Sequence, residues 1–193
     1  MDEAAARTYV EEVLPAIKKL GVVQWPNEVL STPAAEYVFP DDLEVAASDY
    51  EQLVATVGEL KKVYDFSKGV GLAAPQIGIP RQMSVLIAPS GKEHVLINPK
   101  IVKAGPNIEN WEGCISCFGE RLYTARPKKL GVASRVLDGQ DRNFGFGRSM
   151  AALAAHEIDH LNGRVIQTEF SAAPKVGLVD YLVADKNPAP RVS

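Results

Sequence analysis

The sequence lacks any hydrophobic run that approaches the length of a membrane span. A helix needs about 20 consecutive apolar residues to cross a bilayer, and polar or charged residues interrupt every apolar stretch well before that length. The first residues, Met1-Asp2-Glu3, are acidic and resemble neither a secretory signal nor an arginine-rich transit peptide. These absences predict a cytoplasmic protein that makes no contact with a membrane.

The sequence also has few cysteines and no excess of positive charge. The chain has two cysteines, Cys114 and Cys117, and they are too close in sequence to form a useful structural disulfide. The formal net charge is −3 and the cationic residues are scattered, so we expect no nucleic-acid site. The two cysteines therefore require an explanation other than a disulfide framework or a basic binding surface.

Length and composition predict a single domain spanning residues 1–193. The chain has 193 residues, of which 46% are hydrophobic, and this is enough for one core but short for two domains. Apolar residues recur at helical spacing towards both ends, with short β-branched runs between them, so we expect an α+β fold. Residues 1–21 are expected to hold an N-terminal helix, and residues 186–193 a flexible tail.

The expected elements follow from these local patterns. Irregular chain is expected over Val22–Pro40, and a final apolar segment over Val176–Val183. A five-residue loop should join the first two strands in a hairpin, and Asp138-Gly139 should form a turn before the last long helix. The expected helices are Glu3–Leu20, Leu43–Lys68 and Ser149–Leu161, and the expected strands are Met83–Ala88, His94–Asn98, Leu130–Leu137 and an edge strand over Val165–Phe170.

The motif H-E-x-x-H, formed by His156, Glu157 and His160, carries the clearest chemistry. Residues four apart lie on one face of a helix, so both imidazoles can bind the same ion. Glu157 lies between them, where its carboxylate can transfer a proton without binding the metal. A charged cluster on a short alanine-rich helix is costly unless something compensates it, and a metal ion would do so. The motif therefore predicts metal-assisted hydrolysis.

The third metal ligand is open at this point. A catalytic zinc-type site needs three protein ligands and an open position for water. Ile166 occupies the place where the longer metalloprotease motif has its third histidine, which excludes that family. The remaining candidates are His94 and the pair Cys114 and Cys117. A closed site that uses both cysteines and both histidines would be structural, although it would have no use for the glutamate between the histidines.

A third stretch, Gly69–Gly78, is rich in glycine and alanine and contains Gln76. Its spacing is not that of a phosphate-binding loop, and no Lys-Ser or Lys-Thr pair follows. Small side chains allow another backbone to approach closely, as when a peptide adds to the edge of a sheet. The alternative is tight packing of a loop against a helix. In the first interpretation, Gln76 would be left as a side-chain hydrogen-bond donor.

Together the three stretches resemble the motifs of the peptide deformylases. The family's motifs are G-x-G-L-A-A-P-Q, E-G-C-x-S and H-E-x-x-H with a following glycine, and this chain has them in that order at Gly69–Gln76, Glu112–Ser116 and His156–Gly163. Weaker similarity extends from about Val23 to Phe170. The resemblance implies sheets packed around a central metal-binding helix, an N-terminal helix and a long second helix. The implied reaction removes the N-formyl group from formyl-methionyl nascent peptides and releases formate.

The resemblance also implies a role for each matching residue. Glu157 would be the general base, and the Gln76 amide and the Ile115 N–H would form the oxyanion hole. The metal would be Fe²⁺, with Zn²⁺, Ni²⁺ or Co²⁺ as substitutes, and the ribosome would be a transient partner. The implied metal ligands are Cys114, His156 and His160, and the implied substrate contacts are Val70, Gly71, Gly113, Arg121 and Leu153.

The chain departs from the family pattern at three places near these motifs. Ile115 stands for the commoner leucine, Cys117-Phe118 for an aliphatic residue and proline, and Ala155 for glutamine. The metal ligands and the base are intact, so we expect these changes to alter substrate side-chain preference and not the chemistry. Two alternatives stay open on sequence alone: the closed four-ligand zinc site, and a hydrolase with the same machinery for another N-acyl group.

Overall fold

A computed structural model describes residues 1–64, 66 and 69–184. The tail predicted for residues 186–193 lies outside the described residues. The helices are α1 (Glu3–Lys19), α2 (Glu28–Ser31), α3 (Leu43–Val63), α4 (Ser149–Leu161), α5 (Ile166–Glu169) and α6 (Leu178–Val183). The strands are β1 (Val70–Ala73), β2 (Met83–Ile87), β3 (Glu93–Ala104), β4 (Asn107–Glu112), β5 (Glu120–Pro127), β6 (Lys129–Arg135), β7 (Asp141–Gly147) and β8 (Lys175–Gly177).

The strands form two antiparallel sheets, which confirms the predicted α+β class. One sheet has five strands in the order β1-β2-β3-β6-β7, and the other has three in the order β4-β5-β8. The predicted hairpin is present, because β2 pairs with β3 from Met83–Ile97 to Ile87–Glu93. Strands β1 and β4 each lie at the edge of their sheet, so each leaves one edge of its backbone unpaired within the described sheets.

Helix α4 is the central element between the two sheets. It contacts β1, β2, β6 and β7 of the larger sheet and β5 of the smaller one. Its small residues Ala151, Ala154 and Ala155 are buried with Ile158 against the core of the larger sheet. Short side chains let the helix approach both sheets closely. The helix spans Ser149–Leu161 as predicted, and its second half is almost wholly buried.

Helix α1 confirms the predicted N-terminal element. Asp2 caps it by accepting a hydrogen bond from the Ala5 N–H at 2.8 Å, and Pro15 lies within the helix. Val13 and Ile17 are buried in the main core beside α3. Ala6 is buried in a separate cluster with residues of α6. The helix therefore joins two parts of the fold that are far apart in sequence.

The structure corrects several expected elements. The second helix ends at Val63, because Tyr64 is extended and its ring packs on Phe66 at 4.8 Å between centroids. The edge strand expected over Val165–Phe170 is the short helix α5, in which the Thr168 hydroxyl donates to the Val165 carbonyl at 3.0 Å. Strand β7 follows the Asp138-Gly139 turn, where the sequence had suggested that α4 comes next. Pairing with β6 supports this glycine-rich strand.

Further elements are additions to the expected ones. Strands β1, β4 and β5 lie in stretches for which no strand was expected, and β3 extends to Ala104, beyond the expected end at Asn98. The stretch 22–40, expected to be irregular, contains the short helix α2, which is capped by Asn27. The last apolar segment divides into β8 and α6. None of the helices in the described part of the chain has both the length and the hydropathy required to cross a bilayer.

Gly163 is predicted to be essential for stability. It has a positive φ of +69°, and a Cβ there would lie 2.7–2.9 Å from backbone atoms of residues 31–33. Substitution by alanine should lower the free energy of unfolding by about 2–4 kcal/mol, because the clash adds to the backbone strain. Urea denaturation measures the change.

Gly91 provides the matched control for this substitution. It also has a positive φ, of +84°, but open space surrounds its Cβ position. Gly91→Ala should therefore show only the strain of the left-handed conformation, about 1–2 kcal/mol. Equal losses in the two variants would contradict the proposed clash at Gly163.

Candidate metal centre

Three side chains from two elements converge on one point. His156 and His160 project from the same face of α4, and Cys114 directly precedes the short 3-10 turn Ile115–Cys117. The Cys114 Sγ lies 3.2 Å from the His160 Nε2, which lies 3.2 Å from the His156 Nε2. All three residues are buried. Among the described residues, these three form the group able to hold a metal ion, with ligand atoms within 4.8 Å of one another.

The spacing of these atoms suits a transition-metal ion. Metal–nitrogen and metal–sulfur distances near 2.0 and 2.3 Å in tetrahedral geometry place ligand atoms about 3.3–3.6 Å apart. Burial opposes ionisation of the Cys114 thiol, but a hydrogen bond from Cys117 and the nearby imidazoles outweigh it, so the pKa of Cys114 lies well below its usual range. The thiolate is the form that binds metals. One thiolate and two imidazoles favour Zn²⁺ or a neighbouring transition metal over Mg²⁺ or Ca²⁺.

A buried ionic network holds His156 in place. The Glu112 carboxylate lies 2.5 Å from His156 Nδ1 and accepts from Arg126 at 2.7 and 2.8 Å and from the Thr124 hydroxyl at 2.7 Å. Arg126 also donates to Asp159 at 2.5 Å. Burial would raise the pKa of Glu112, but Arg126 and His156 together hold that pKa well below its usual range. A carboxylate behind a ligating histidine fixes the ring so that Nε2 faces the ion.

Glu157 lies beside the three ligand atoms but is not one of them. It is 2% exposed, and its Oε2 has no hydrogen-bond partner within the part of the chain that the structure describes. Burial raises the pKa of Glu157 to about 7. A carboxyl group with a pKa near neutrality can both accept and donate a proton at neutral pH. Gly71 leaves room for it, because a Cβ on Gly71 would lie 2.3 Å from the Glu157 Oε1.

Gln76 presents its amide nitrogen to the centre. Its Oε1 accepts from the Ala73 N–H at 2.8 Å, which leaves Nε2 directed at Cys114 Sγ, 3.6 Å away, and Ser116 Oγ, 3.3 Å away. The residue is 1% exposed and lies within the 3-10 turn Ala74–Ile77 that follows β1. A fixed N–H donor beside the metal ligands is what an oxyanion hole requires.

A cavity of about 300 Å³ opens onto the centre. Edge strands β1 and β4 both contribute to its lining, through Gly71 and Trp111 among others. One wall is the face of α4 that carries His156, and includes Ala152 and Leu153. Another part of the lining is rich in aromatic side chains, including Tyr64 and Phe118. The centre is therefore at one end of a cleft large enough for a small peptide.

Most residues predicted to contact the substrate lie in this cleft. Gly71, Gly113, Ile115, Arg121 and Leu153 line it. Arg121 is 8% exposed and packs on Gly113, where a Cβ would lie 2.2 Å from its Nη1.

Val70 differs from these residues, because its side chain is buried in the main core. Only its backbone, on the edge strand β1, is available to a ligand.

The structure also resolves the two open candidates for the third ligand. His94 lies in β3 with its ring edge-on to Phe144 and Phe146, at 5.8 and 5.3 Å between centroids, and is not part of the metal-binding group. Cys117 is outside that group as well, and its thiol donates a hydrogen bond to the Cys114 sulfur. Among the described residues, the candidate metal-binding group therefore has three members, and Cys117 is not one of them.

Sequence reasoning missed the network of Glu112, Arg126 and Asp159. A signal was present, since an aspartate inside a buried helix requires a cationic partner. The partner itself was not identifiable, because Arg126 is 33 residues from Asp159 in the chain.

Comparison with known proteins places the site in its family. A sequence model described as polypeptide deformylase matches residues 19–176. The chain belongs to the peptide deformylase family. Members of this family remove the N-formyl group from nascent peptides, so the chain is a hydrolase with that activity. The family is metal-dependent, which agrees with the group of Cys114, His156 and His160.

Individual deformylases resemble the chain in sequence and in fold. Those of Prochlorococcus marinus (strain NATL1A) and Pediococcus pentosaceus are 35% and 34% identical to it, over 75% and 86% of this chain and 69% and 98% of theirs. The Synechococcus elongatus deformylase in complex with actinonin has a TM-score of 0.63 at 32% identity, covering 75% of this chain and 74% of its own. The Met-Ala-Ser-bound Acinetobacter baumannii deformylase has a TM-score of 0.66 at 26% identity, covering 75% and 93%.

Replacing each cysteine by serine in turn tests which of the two is required for metal binding. Cys114→Ser should release the metal. Mutating a residue that hydrogen-bonds to a metal ligand typically lowers metal affinity by roughly 10- to 100-fold, and loss of a ligand itself should lower the affinity at least as much. Cys117→Ser retains a hydrogen-bond donor and should keep the metal. Metal content after dialysis against a chelator measures both variants. Equal release from both would favour the closed four-ligand site.

Gly71→Ala tests the space that Gly71 leaves for Glu157. The added methyl group would displace the Glu157 carboxylate, and formate release should fall by about a hundredfold, as is typical for a misplacement of about 1 Å in an active site. Metal content should stay the same, because the atoms nearest to the added Cβ belong to Glu157 and not to Cys114, His156 or His160. Gly145→Ala, in β7 with open space around its Cβ position, is the matched control, and an equally active Gly71→Ala variant would contradict the assigned contact.

Proposed function

We propose that Cys114, His156 and His160 hold a single divalent ion and that Glu157 is the general base for deformylation. The observation that carries this proposal is the position of Glu157, buried beside the ligand atoms with a free carboxylate oxygen and a pKa near 7. The ion supplies Lewis acidity, which lowers the pKa of water and polarises the formyl carbonyl. Glu157 takes the proton from the attacking water and then delivers it to the leaving amine.

The oxyanion that develops on the formyl oxygen is stabilised by two N–H groups. These are the Gln76 side chain, whose other end is fixed by Ala73, and the Ile115 backbone next to Cys114. Each such donor typically contributes about 3 kcal/mol to lowering the barrier. Because Gln76 is buried and already oriented, it does not have to reorganise during the reaction.

The substrate backbone lies extended between the edge strands β1 and β4. The backbones of Val70 and Gly71 pair with it on one side, and Gly113 and Arg121 contact it on the other. Leu153 and its neighbours on α4 receive the methionine side chain. The Met-Ala-Ser peptide bound in the Acinetobacter baumannii structure supports a ligand of this length in the cleft.

The physiological ion in this proposal is Fe²⁺, with Zn²⁺, Ni²⁺ or Co²⁺ able to replace it. The thiolate and two imidazoles suit all four ions and do not discriminate strongly among them. The thiolate also makes the site sensitive to oxidation.

We further propose that the substrates are formyl-methionyl nascent chains, which the protein meets in the cytoplasm during transient contact with the ribosome. We also propose that residues 1–193 act as one catalytic domain.

A hydrolase acting on another N-acyl group is the alternative to be tested. Formate release from formyl-Met-Ala-Ser by anaerobically prepared, iron-loaded protein tests the proposal. Acetate release from acetyl-Met-Ala-Ser by the same protein is the comparison. The proposal predicts hydrolysis of the formyl peptide alone. Faster cleavage of the acetyl peptide would overturn the substrate assignment.

Glu157→Gln separates the general base from the metal ligands. The amide has nearly the same shape but cannot accept the proton, so formate release should fall by about 10²- to 10⁴-fold while metal content is unchanged. Glu51→Gln, at an exposed position of α3 outside the cleft, is the matched control. Activity within a few-fold of the native protein would contradict the role assigned to Glu157.

A further inference from the structure

The two terminal helices contribute side chains to the aromatic part of the cleft. Tyr9 of α1 and Tyr181 and Leu182 of α6 line the cavity. Tyr181 and Leu182 are each 8% exposed and belong to one cluster with Ala6 of α1 and Trp111 of β4. Tyr9 packs against the same cluster. We call the part formed by Tyr9, Tyr181 and Leu182 the terminal wall.

The terminal wall lies outside the part of the chain that matches the family. The family match covers residues 19–176, which contain the metal ligands, Glu157 and Gln76. Tyr9 precedes the match, and α6 follows it. The two flanking segments pack on each other. The residues assigned to the reaction and the residues of the terminal wall therefore come from separate parts of the sequence.

Ring contacts fix the surface that the terminal wall offers. The Tyr9 ring lies 6.5 Å from the Tyr64 ring, which contacts Phe118 edge-on at 5.8 Å. The Arg121 guanidinium lies 5.6 Å from the centre of the Tyr181 ring and donates to the Tyr64 hydroxyl. These contacts hold the rings in place before a ligand arrives. A preformed aromatic surface favours a large apolar side chain.

The terminal wall is within reach of the substrate residue that follows methionine. Arg121 links the two regions, because it packs on Gly113 next to the ligand Cys114 and also contacts Tyr181. An extended peptide advances about 3.3 Å per residue, and its successive side chains point to opposite sides. If α4 receives the first side chain, the second points away from α4, and the aromatic side chains line a part of the cleft that α4 does not form.

We propose that α1 and α6 form a second side-chain subsite that selects substrates with a large apolar residue, above all phenylalanine, directly after formyl-methionine. The proposal rests on the deformylase reaction and on the extended substrate path described above. It assigns Tyr9, Tyr181 and Leu182 to substrate specificity, and it gives the N-terminal helix a role beyond packing.

Two peptides that differ at one residue test the subsite. The metal-loaded native protein should show a kcat/KM about tenfold higher for formyl-Met-Phe-Ala amide than for formyl-Met-Ala-Ala amide, a ratio typical of selection by an apolar pocket. Tyr9→Ala and Leu182→Ala should each reduce this ratio several-fold, mainly through a higher KM for the phenylalanine peptide. Val183→Ala, on the same helix but 43% exposed and outside the cleft, should keep the native ratio.

A second aromatic substitution separates the subsite from the folding of α1. Tyr9→Phe retains the ring and should keep the preference for the phenylalanine peptide. Tyr9→Ala should lose this preference, while its circular dichroism spectrum stays the same as that of the native protein. Equal kcat/KM values for the two peptides in the native protein would overturn the proposal, as would a native ratio in both Tyr9→Ala and Leu182→Ala.

Binding of the products distinguishes failure of the subsite from failure of the proposed function. If neither peptide releases formate, the deformylase assignment fails, and calorimetry with Met-Phe-Ala amide and Met-Ala-Ala amide still tests the subsite. About tenfold tighter binding of the phenylalanine peptide supports the subsite. Equal affinities contradict it.

Discussion

The ion pairs of Arg126 with Glu112 and Asp159 are the interaction on which the centre depends. They place one guanidinium between two buried carboxylates, one on β4 and one on α4. Removing one partner from a buried ion pair usually costs about 3–5 kcal/mol, because the other charge is left uncompensated. Here the pairs also join the smaller sheet to the central helix, and Glu112 in turn orients His156. Stability and ligand geometry therefore depend on the same few atoms.

The same network explains why α4 can bury so many ionisable groups. His156, Glu157, Asp159 and His160 lie on a helix whose other buried residues are mainly alanine, isoleucine and leucine. Asp159 is neutralised by Arg126, and His156 by Glu112 and the Cys114 thiolate. Glu157 Oε2 and His160 Nδ1 are the atoms of this set that have no hydrogen-bond partner among the described residues. The compensation thus leaves one carboxyl group with a raised pKa, which suits proton transfer.

Local patterns were enough to predict the elements that carry the chemistry. The bounds of α4 were predicted correctly, and so was the presence of a hairpin that joins β2 to β3. Helix periodicity and turn residues act over a few neighbouring positions, so the local sequence contains these signals. Two interpretations were open for the glycine-rich stretch. The contact found at Gly71 is with the Glu157 side chain of α4, as packing against a helix requires, and the approach of a peptide backbone stays a prediction. Strand β7 and helix α5 were missed because tertiary pairing and a side-chain cap outweighed intrinsic propensity. The partners of Arg126 and the meeting of α1 with α6 depend on contacts between distant parts of the chain, which no local pattern contains.

The central claim is that three side chains bind the metal and leave one position open to substrate. Visible absorption of the cobalt-loaded protein, recorded during titration with Met-Ala-Ser, tests this claim most directly. An open site predicts one thiolate-to-cobalt charge-transfer band at one ion per chain, together with ligand-field bands that shift as the peptide binds. A spectrum with two thiolate ligands that stays unchanged at saturating peptide would contradict it.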